Sequence, residues 1–255
     1  MGATELLLVR HGESLGNVAA AEARRAGAEV IDVPARDADV ELSPTGVEQA
    51  EALGRWLADL PEADRPDAVW SSPFRRAVDT ARTAIDVAGL DLPVRIDERL
   101  RDRDLGITDT LTTAGIRNRY PEEAERREWL GKFYYRPSGG ESWADIALRV
   151  RSVLADLERL RHHRRVLITC HDAVLLVFRY VCEGMDEASV LEVSHTQSVR
   201  NAAVTRLVRE EDADEWTLAE FNSADHLRDR GVPVTAQHPA SDEQGPSDHD
   251  AGEVR

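Results

Sequence analysis

The first residues with a chemical capacity follow a short apolar run near the start of the chain. Leu6 to Val9 are apolar, and Arg10, His11 and Gly12 come directly after them. A short apolar run that ends at polar residues and a glycine is typical of a buried parallel strand and of the ligand-binding loop at its carboxyl end. Arg10 has a planar fork of donors suited to a phosphate, and His11 is a candidate nucleophile or acid–base group. A surface Arg-His pair at a strand end explains these residues alone equally well.

Three more polar clusters lie at the ends of predicted strands or the starts of predicted helices. They are residues 72–77 after the strand 67–70, the charged stretch 97–106, and His171 after the apolar run 165–170. Ligands of open α/β sheets bind at the carboxyl ends of the strands. Two histidines, each at the end of a predicted buried parallel strand, therefore favour one shared site over two separate structural roles.

The elements that position these clusters alternate along the chain. The predicted strands are 6–9, 67–70, 94–96 and 165–170, with a hairpin of 203–208 and 215–221, and the main predicted helices are 44–60, 74–88, one that begins after Ser142, and 173–183. Ser43 is a predicted N-cap, Gly89 ends a helix, and Ser142 with Asp145 indicates a capping box. Strands that alternate with helices predict an α/β fold, a three-layer α/β/α sandwich with a mostly parallel central sheet and helices on both faces.

The composition limits the class of protein. The chain has 255 residues, 42% of them hydrophobic and 31% charged, which is typical of a globular protein. The formal charge of −16 argues against nucleic acid or an anionic membrane as partner. No apolar run approaches the roughly 20 residues of a membrane span, and the first strand begins too early for a signal peptide. Cys170 and Cys182 lie in apolar sequence, which indicates buried free thiols and a cytoplasmic protein.

One domain accounts for most of the chain. We predict a catalytic domain over residues 1–224, with a lid-like insert at about 107–140 in which aromatic residues stand among charges. From about Asp225 the chain is rich in Asp, Ser, Pro and Gly and poor in apolar residues. Residues 225–255 are therefore predicted to form an acidic disordered tail. The sequence leaves the oligomeric state open.

Two of the polar clusters carry a family pattern. The run Arg-His-Gly-Glu at 10–13 with Asn17 a few residues on, and the run Ser-x-x-x-Arg-Ala-x-x-Thr-Ala at 72–81, resemble the signature of the histidine phosphatase superfamily, the phosphoglycerate mutase-like proteins. The resemblance implies roles for the matching residues: the nucleophile His11, the phosphate ligands Arg10, Asn17 and Arg76, and the second pocket histidine, His171. We therefore expect two imidazoles and two guanidiniums to meet around one oxyanion.

The charged stretch contains the acid that this chemistry needs. Where the family has a Glu as general acid, this chain has Asp102, one methylene shorter, with Asp104 and Glu98 as alternatives and a solvated charged loop as the plain explanation. The leaving alkoxide needs a proton, and we expect a closed pocket beside a bound dianion to raise the pKa of Asp102 for this purpose. The arginines take the role of a metal ion, and no cluster has the spacing of a metal site, so no cofactor is expected.

The insert resembles most the phosphatase half of the bifunctional enzyme that acts on fructose 2,6-bisphosphate. Tyrosines, an arginine and a lysine hold the second phosphate of the sugar there, which implies that role for Lys132, Tyr135 and Arg136. A lid that packs its aromatic residues on the core explains these residues equally well. Two further sugar-phosphate contacts of that relative, a Gln and an Arg, correspond to Asp172 and Leu176, which argues against the same bisphosphate substrate.

The resemblance, together with these residues, therefore implies a metal-independent phosphomonoester hydrolase that acts through a phosphohistidine on a small phosphorylated metabolite. A cofactor-dependent phosphoglycerate mutase is the first alternative, and Leu105 and Thr113 stand at about the places of its substrate-binding Tyr and Lys. A non-catalytic phosphate-binding module is the second alternative, with Asp102 as the sign of lost turnover. His195 falls in a predicted loop and has no assigned role.

Overall fold

Strands and helices alternate along most of the chain. The structure, a computed structural model, describes residues 2–33, 36–160, 163–211, 213 and 215–236. Its strands are β1 (Glu5–Arg10), β2 (Ala68–Ser71), β3 (Val94–Ile96), β4 (Arg165–Cys170), β5 (Val204–Val208) and β6 (Thr217–Ser223). Its helices are α1 (Leu15–Arg25), α2 (Pro44–Asp59), α3 (Arg75–Ala88), α4 (Thr113–Arg119), α5 (Pro121–Tyr134), α6 (Trp143–Arg159), α7 (Asp172–Cys182), α8 (Glu187–Thr196) and α9 (Asp225–Arg228).

The strands form one sheet in the order β3-β2-β4-β1-β5-β6. β3, β2, β4 and β1 are parallel to one another, and β5 and β6 are added as antiparallel strands next to β1, which confirms a mostly parallel sheet. β1 and β4 lie side by side, with Arg10 paired to Cys170 at their carboxyl ends. The next residues, His11 and His171, therefore leave the sheet from adjacent positions.

Helices cover both faces of this sheet. Leu6 and Leu8 of β1 pack in one cluster with residues of α6 and α7, whereas Leu7 and Val9 pack with residues of α2 and α3 on the opposite face. Successive side chains of a strand point to opposite faces, so a strand buried on both sides requires an uninterrupted apolar run. Each fully buried leucine stabilises the fold by about 1.5–3 kcal/mol. This arrangement confirms the predicted three-layer α/β/α sandwich.

Three helices begin or end at the residues whose types predict a helix boundary. Ser43 caps α2 with its side chain, and Ser142 and Asp145 form the capping box at the start of α6. Gly89 ends α3 in the left-handed conformation, at φ 65°, which a residue with a Cβ rarely adopts. These three predictions are confirmed.

The predicted lid-like insert consists mainly of α4 and α5. Phe133 and Tyr135 near its end are buried, and Phe133 belongs to the same core cluster as α6 and α7. The burial of both rings fits the explanation that the insert packs its aromatic residues inward.

A helix replaces the loop that was predicted around His195. This helix, α8, has one buried residue, Val190, and His195 lies exposed near its end. Because only one side chain is buried, the periodic apolar pattern that reveals an amphipathic helix is missing from this part of the sequence.

The segment after β6 corrects the prediction of a disordered tail that begins at Asp225. α9 follows β6 directly, and Leu227 is fully buried in a cluster with α2. Further on, Gln49 of α2 donates a hydrogen bond to the Thr235 hydroxyl at 2.9 Å. The low apolar content of the sequence does not reveal this packing, because Leu227, the partly buried Val232 and Val234, and a few hydrogen bonds are enough to hold the segment. Residues 237–255 lie outside the described residues, and their disorder stays a prediction.

Both cysteines are buried free thiols, as predicted. Burial raises the pKa of the Cys182 thiol to about 12 and that of the Cys170 thiol further still. Among the helices within the described ranges, none combines the length and the apolar character that crossing a bilayer requires.

Candidate active site

Two histidine rings meet at the carboxyl end of the sheet. His11 follows β1 and His171 follows β4, and their ring centroids are 5.1 Å apart in an edge-to-face arrangement. The His11 N–H donates to the Cys170 carbonyl at 3.0 Å, which extends the pairing of the two strands by one residue. Both histidines are buried. The structure thus brings together the two imidazoles that are 160 positions apart in the sequence.

One tautomer of His11 fits its surroundings. Nδ1 lies 2.7 Å from the carbonyl oxygen of Gly12, which can only accept, so the ring proton belongs on Nδ1. Nε2 then carries the lone pair, and it accepts a hydrogen bond from Nε of Arg76 at 3.2 Å. Burial, followed by the charges of Arg76, His171 and Arg10, lowers the pKa of His11 well below its usual value. The ring is therefore neutral at physiological pH, with its nucleophilic nitrogen towards the guanidinium.

The guanidinium of Arg76 occupies the centre of the site. Arg76 lies in the first turn of α3, and its side chain is 5% exposed. Besides the bond to His11, it donates from Nη2 to Oδ2 of Asp102 at 3.0 Å and from Nη1 to Oδ1 of Asp37 at 2.9 Å. A buried cation that is held in one orientation by its neighbours is suited to bind an oxyanion.

Of the three candidate acids, Asp102 is the one that contacts both Arg76 and His171. Its Oδ2 lies 3.1 Å from Nδ1 of His171 and accepts from Arg76. Burial raises the pKa of Asp102, but the charge and hydrogen bond of His171, together with the charge of Arg76, outweigh burial and hold the pKa well below its usual range. Asp102 is therefore ionised while no ligand is bound. The two alternative acids, Asp104 and Glu98, are exposed.

Ser72, which has no role in the sequence prediction beyond its place in the motif, orients His171. Its hydroxyl oxygen accepts from the N–H of Phe74 at 3.2 Å and lies 2.8 Å from Nε2 of His171. A hydroxyl can both donate and accept, so Ser72 can pair with Nε2 whether or not that nitrogen carries a proton. The Phe74 ring packs edge-on against the His171 ring, with centroids 5.2 Å apart. One hydroxyl and one aromatic ring thereby fix the second histidine.

Arg10 and Asn17 line the same cavity as His11. Arg10 is buried, and its Nη1 donates to the carbonyl of Val199 at 2.6 Å. Oδ1 of Asn17 accepts from the N–H of Ser14 at 3.1 Å, within the capping box of α1, and from Nδ2 of Asn201 at 3.2 Å. Because these bonds fix the carbonyl side of the amide, the NH2 group of Asn17 is the side that can serve a ligand.

The loop after β1 approaches two helices closely. The N–H of Gly12 donates to the Thr80 hydroxyl at 3.0 Å. A Cβ at position 12 would lie 2.5 Å from the carbonyl oxygen of Gly46, so this position requires glycine. Thr80 belongs to the Ser-x-x-x-Arg-Ala-x-x-Thr-Ala pattern, which is the sequence signal for this contact.

Two amide side chains support the loop without any signal in the sequence. Gln49 accepts from the N–H of Glu13 at 2.9 Å, and Asn201 donates to the carbonyl of His11 at 3.0 Å. Neither residue has an assigned role in the sequence prediction, because an isolated amide in a helix or a loop has no distinctive pattern.

A cavity of about 560 Å³ opens over these residues. Further charged residues on its wall are Arg36, Asp37, Arg101, Arg103, Asp104, Asp109, Lys132 and Asp172. Apolar residues on its wall include Ile31, Val33, Phe74, Leu105, Leu111, Trp143 and Leu176. This volume is within the range of small-molecule sites.

Of the three residues assigned to a second phosphate, the structure brings Lys132 to the cavity. Its Nζ donates to the Ser194 hydroxyl at 3.0 Å and lies 5.5 Å from the centroid of the Trp143 ring. These contacts place the ammonium group at the side of the cavity formed by α5 and α8.

The structure does not bring Tyr135 and Arg136 to the cavity, which corrects their assignment. Tyr135 is buried, and its hydroxyl donates to Glu123 at 2.8 Å. Arg136 is exposed and donates from Nε to Asp145 at 2.8 Å, at the start of α6. The aromatic ring gains more from burial in the core, and the guanidinium is held by the carboxylate of the capping box.

Comparison with known proteins identifies the family. The model of the histidine phosphatase superfamily (branch 1) matches residues 6–224. Human 6-phosphofructo-2-kinase/fructose-2,6-bisphosphatase 3 is 34% identical over 170 residues, which are 67% of this chain and 28% of that protein. A probable fructose-2,6-bisphosphatase from Schizosaccharomyces pombe is 33% identical over 168 residues, which are 66% of this chain and 35% of that protein. The chain thus spans about a third of the length of these relatives.

Solved structures show the same architecture. A mycobacterial glucosyl-3-phosphoglycerate phosphatase in complex with VO3 has a TM-score of 0.67 at 27% identity, and the match covers 87% of this chain and all of that one. A putative alpha-ribazole-5'-P phosphatase from Escherichia coli has a TM-score of 0.70 at 23% identity, covers 87% of this chain and 97% of its own, and supports the fold alone. With the family model matching from Leu6 to Ala224, the chain belongs to branch 1 of the histidine phosphatase superfamily.

Proposed function

We propose that this chain hydrolyses the phosphomonoester of a small metabolite through a phosphohistidine formed on His11. One arrangement carries the proposal: Nε2 of a neutral, buried His11 faces the guanidinium of Arg76, and Asp102 joins that guanidinium to His171. The group has a nucleophile, cations for the phosphoryl oxygens and a carboxyl group for proton transfer within one site. Relatives named as phosphatases support the same reaction class.

The first half-reaction transfers the phosphoryl group to His11. The lone pair on Nε2 attacks phosphorus in line as the bond from phosphorus to the leaving oxygen breaks. The side chains that stabilise the charge on the equatorial oxygens are Arg10, Arg76 and His171, with the Asn17 amide as a neutral donor. The two guanidiniums of this group oppose the long-range repulsion of a dianion by a chain of net charge −16.

Asp102 supplies the proton that the leaving oxygen needs. In the free protein its pKa is low because His171 and Arg76 face it. A bound phosphoryl dianion draws both groups to its own oxygens and adds negative charge nearby, so the pKa of Asp102 rises as the substrate binds. The carboxyl then donates its proton to the leaving oxygen, and the alcohol departs.

The second half-reaction restores the enzyme. Water attacks the phosphorus of the phosphohistidine, the Asp102 carboxylate takes a proton from that water, and the bond between Nε2 and phosphorus breaks. Inorganic phosphate leaves, and the lone pair of His11 is regained. The sum is ester plus water to alcohol plus phosphate, with arginines in the role that a metal ion has in other phosphoryl-transfer enzymes.

The wall of the cavity narrows the substrate class. Lys132 is the candidate contact for a second anionic group. Asp172 and Leu176 also line the cavity, and a carboxylate with an apolar side chain disfavours a second phosphate on their side. Leu105 lines it at about the place of the mutase tyrosine, which disfavours the mutase reaction. The two buried thiols suit a reducing compartment, and we propose the cytoplasm as the place of this reaction.

Phosphate release and labelling of His11 together test this function. The full chain is incubated with a panel of phosphomonoesters, and phosphate release is measured beside acid-labile label trapped from a labelled ester. His11→Asn should abolish both signals, whereas His195→Asn, at an exposed position of α8, should retain them. Near wild-type release by His11→Asn would refute the nucleophile. Exchange of 2- and 3-phosphoglycerate, primed by the bisphosphate and without phosphate release, would identify a mutase instead.

A further inference from the structure

Asp37 accepts hydrogen bonds from both terminal nitrogens of the Arg76 guanidinium in the free protein. Nη1 of Arg76 donates to the Asp37 carbonyl at 2.6 Å and to its Oδ1 at 2.9 Å, and Nη2 donates to its Oδ2 at 3.3 Å. The remaining bonds of the guanidinium go to Nε2 of His11 and Oδ2 of Asp102. An arginine has five N–H donors, and these five acceptors match that number.

A phosphoryl group needs the N–H donors that Asp37 now uses. Two phosphoryl oxygens and two carboxylate oxygens present the same geometry to a guanidinium, so the two anions compete for one edge. Arg76 can therefore bind a phosphoryl group only when one of its present acceptors leaves.

Among those acceptors, Asp37 is the one that can leave most easily. Its side chain is 47% exposed, whereas that of Asp102 is 26% exposed and His11 is buried. Asp37 also begins a single 3-10 turn, Asp37–Asp39, with no buried residue, while His11 extends a central strand. Moving this turn breaks few contacts, and moving either other acceptor dismantles the site.

We propose that Asp37 is an internal anion that holds Arg76 until the substrate phosphoryl group displaces it. This proposal takes one element from the proposed function, namely that Arg76 binds the phosphate. Each anion that binds there has to replace Asp37, so the apparent affinity for substrate and for product phosphate is lowered by the same factor. After hydrolysis Asp37 returns to Arg76 as phosphate leaves.

Replacement of the carboxylate by an amide should therefore strengthen phosphate binding. In Asp37→Asn the shape is kept, one acceptor oxygen becomes a donor group, and the charge is lost. We expect inorganic phosphate to bind about five- to tenfold more tightly, the size of one half-exposed, charge-assisted contact. Asp39→Asn is the matched control, because Asp39 lies in the same turn, carries the same charge and pairs with Arg36 instead.

Calorimetric titration of the full chain with inorganic phosphate decides the matter. Tighter binding by Asp37→Asn, with Asp39→Asn like wild type, supports the proposal. Weaker or unchanged binding by Asp37→Asn overturns it, since Asp37 is then only a positioning residue for Arg76. Equal tightening by both variants also overturns the proposal, because a general loss of negative charge explains that result. A lack of phosphate binding in all three proteins overturns it as well.

A parallel assay of phosphate release separates this inference from the proposed function. If Asp37→Asn binds phosphate more tightly but no ester is hydrolysed, the internal anion stands and the hydrolase proposal fails. If esters are hydrolysed but Asp37→Asn does not bind phosphate more tightly, the hydrolase proposal stands and the internal anion fails.

Discussion

Oδ2 of Asp102 lies 3.1 Å from Nδ1 of His171, although Asp102 is one methylene shorter than the Glu of the family pattern. Asp102 follows β3 through a short turn, and His171 follows β4, so the contact joins two strand ends of one parallel sheet. Oδ1 of Asp102 accepts a hydrogen bond from the backbone N–H of Arg103 at 2.8 Å, which fixes the orientation of the carboxylate. Asp102 therefore reaches His171 despite its shorter side chain, because the backbone after β3 places it close to the end of β4.

Asp102→Asn should separate substrates by their leaving groups. An alkoxide needs the proton of a carboxyl group, so hydrolysis of alkyl esters should slow by roughly 10²–10⁴. An activated aryl phosphate has a leaving group that needs no proton, and its hydrolysis should slow much less. The measurement is kcat/KM for one alkyl and one aryl phosphate with each protein.

Asp104→Asn is the control for that comparison. Asp104 lies two residues further on, lines the same cavity and is exposed, so its replacement should leave the ratio of alkyl to aryl hydrolysis unchanged. Equal losses on both substrates in Asp102→Asn would count against Asp102 as the acid. A selective loss of alkyl hydrolysis in Asp104→Asn would transfer the role to that residue.

Lys132→Met should raise KM for esters with a second anionic group more than for simple ones. The ammonium group lines the cavity, and its loss removes one charge-assisted contact, worth about a tenfold change in KM. Arg136→Met is the matched control, because Arg136 is exposed and bound to Asp145. Steady-state kinetics with paired mono- and bis-anionic esters check this. A selective rise in Arg136→Met, or none in Lys132→Met, contradicts the assignment.

The sequence predicts the frame of the fold because its signals are local. Apolar runs such as 165–170 mark buried strands, and Ser43 and Gly89 mark helix ends through their own backbone chemistry. The convergence of His11, Arg76 and His171 also follows, because parallel strands end at one edge of the sheet. These parts require no knowledge of contacts between distant residues.

The remaining parts depend on such contacts. Tyr135 and Arg136 match the role of a phosphate-binding insert by type, but burial of the ring and the nearby Asp145 carboxylate decide their positions. The partnership of Asp37 with Arg76 spans 39 residues and has no pattern in the sequence. The packing of Leu227 near α2 is not evident from the sequence for the same reason, since composition does not show which of the few apolar residues after β6 find partners.

Thr235 should matter for catalysis although it lies beyond the residues that the family model matches. Its hydroxyl donates to Oδ1 of Asn201 at 3.1 Å and accepts from Nε2 of Gln49 at 2.9 Å, and those two amides hold the loop that carries His11. Thr235→Val keeps the shape and removes both bonds, so kcat/KM should fall about three- to tenfold.

Thr235→Ser provides the control for this effect. A serine keeps the hydroxyl, so it should restore most of the activity that valine loses, and the loss should appear in kcat because the loop orients the nucleophile. The check is kcat and KM of the three proteins with one ester. Equal losses in the serine and valine variants would show that the methyl packing, and not the hydroxyl, is what the site needs.

His226 should make the fold less stable as the pH falls below neutrality. Burial, with a contribution from the charge of Arg230, lowers the pKa of His226 to about 4, whereas an unfolded histidine keeps its ordinary value of 6.5. Between these two pKa values the unfolded chain binds a proton that the folded chain does not. The free energy of unfolding therefore decreases as the pH falls from about 6.5 towards 4, and this residue has no effect on it well above pH 6.5. From pH 8 to pH 5 the loss from this residue is about 2 kcal/mol.

Urea unfolding of His226→Gln and wild type at both pH values measures this contribution. Glutamine cannot take up a proton, so the variant should lose about 2 kcal/mol less than wild type on acidification, whatever its stability at pH 8. His195→Gln, at an exposed position, should behave as wild type does. The buried, neutral His11 gives a decrease of the same sign in all three proteins and cancels in the comparison. A pH dependence of His226→Gln equal to that of wild type would mean that His226 titrates alike in the folded and unfolded chains.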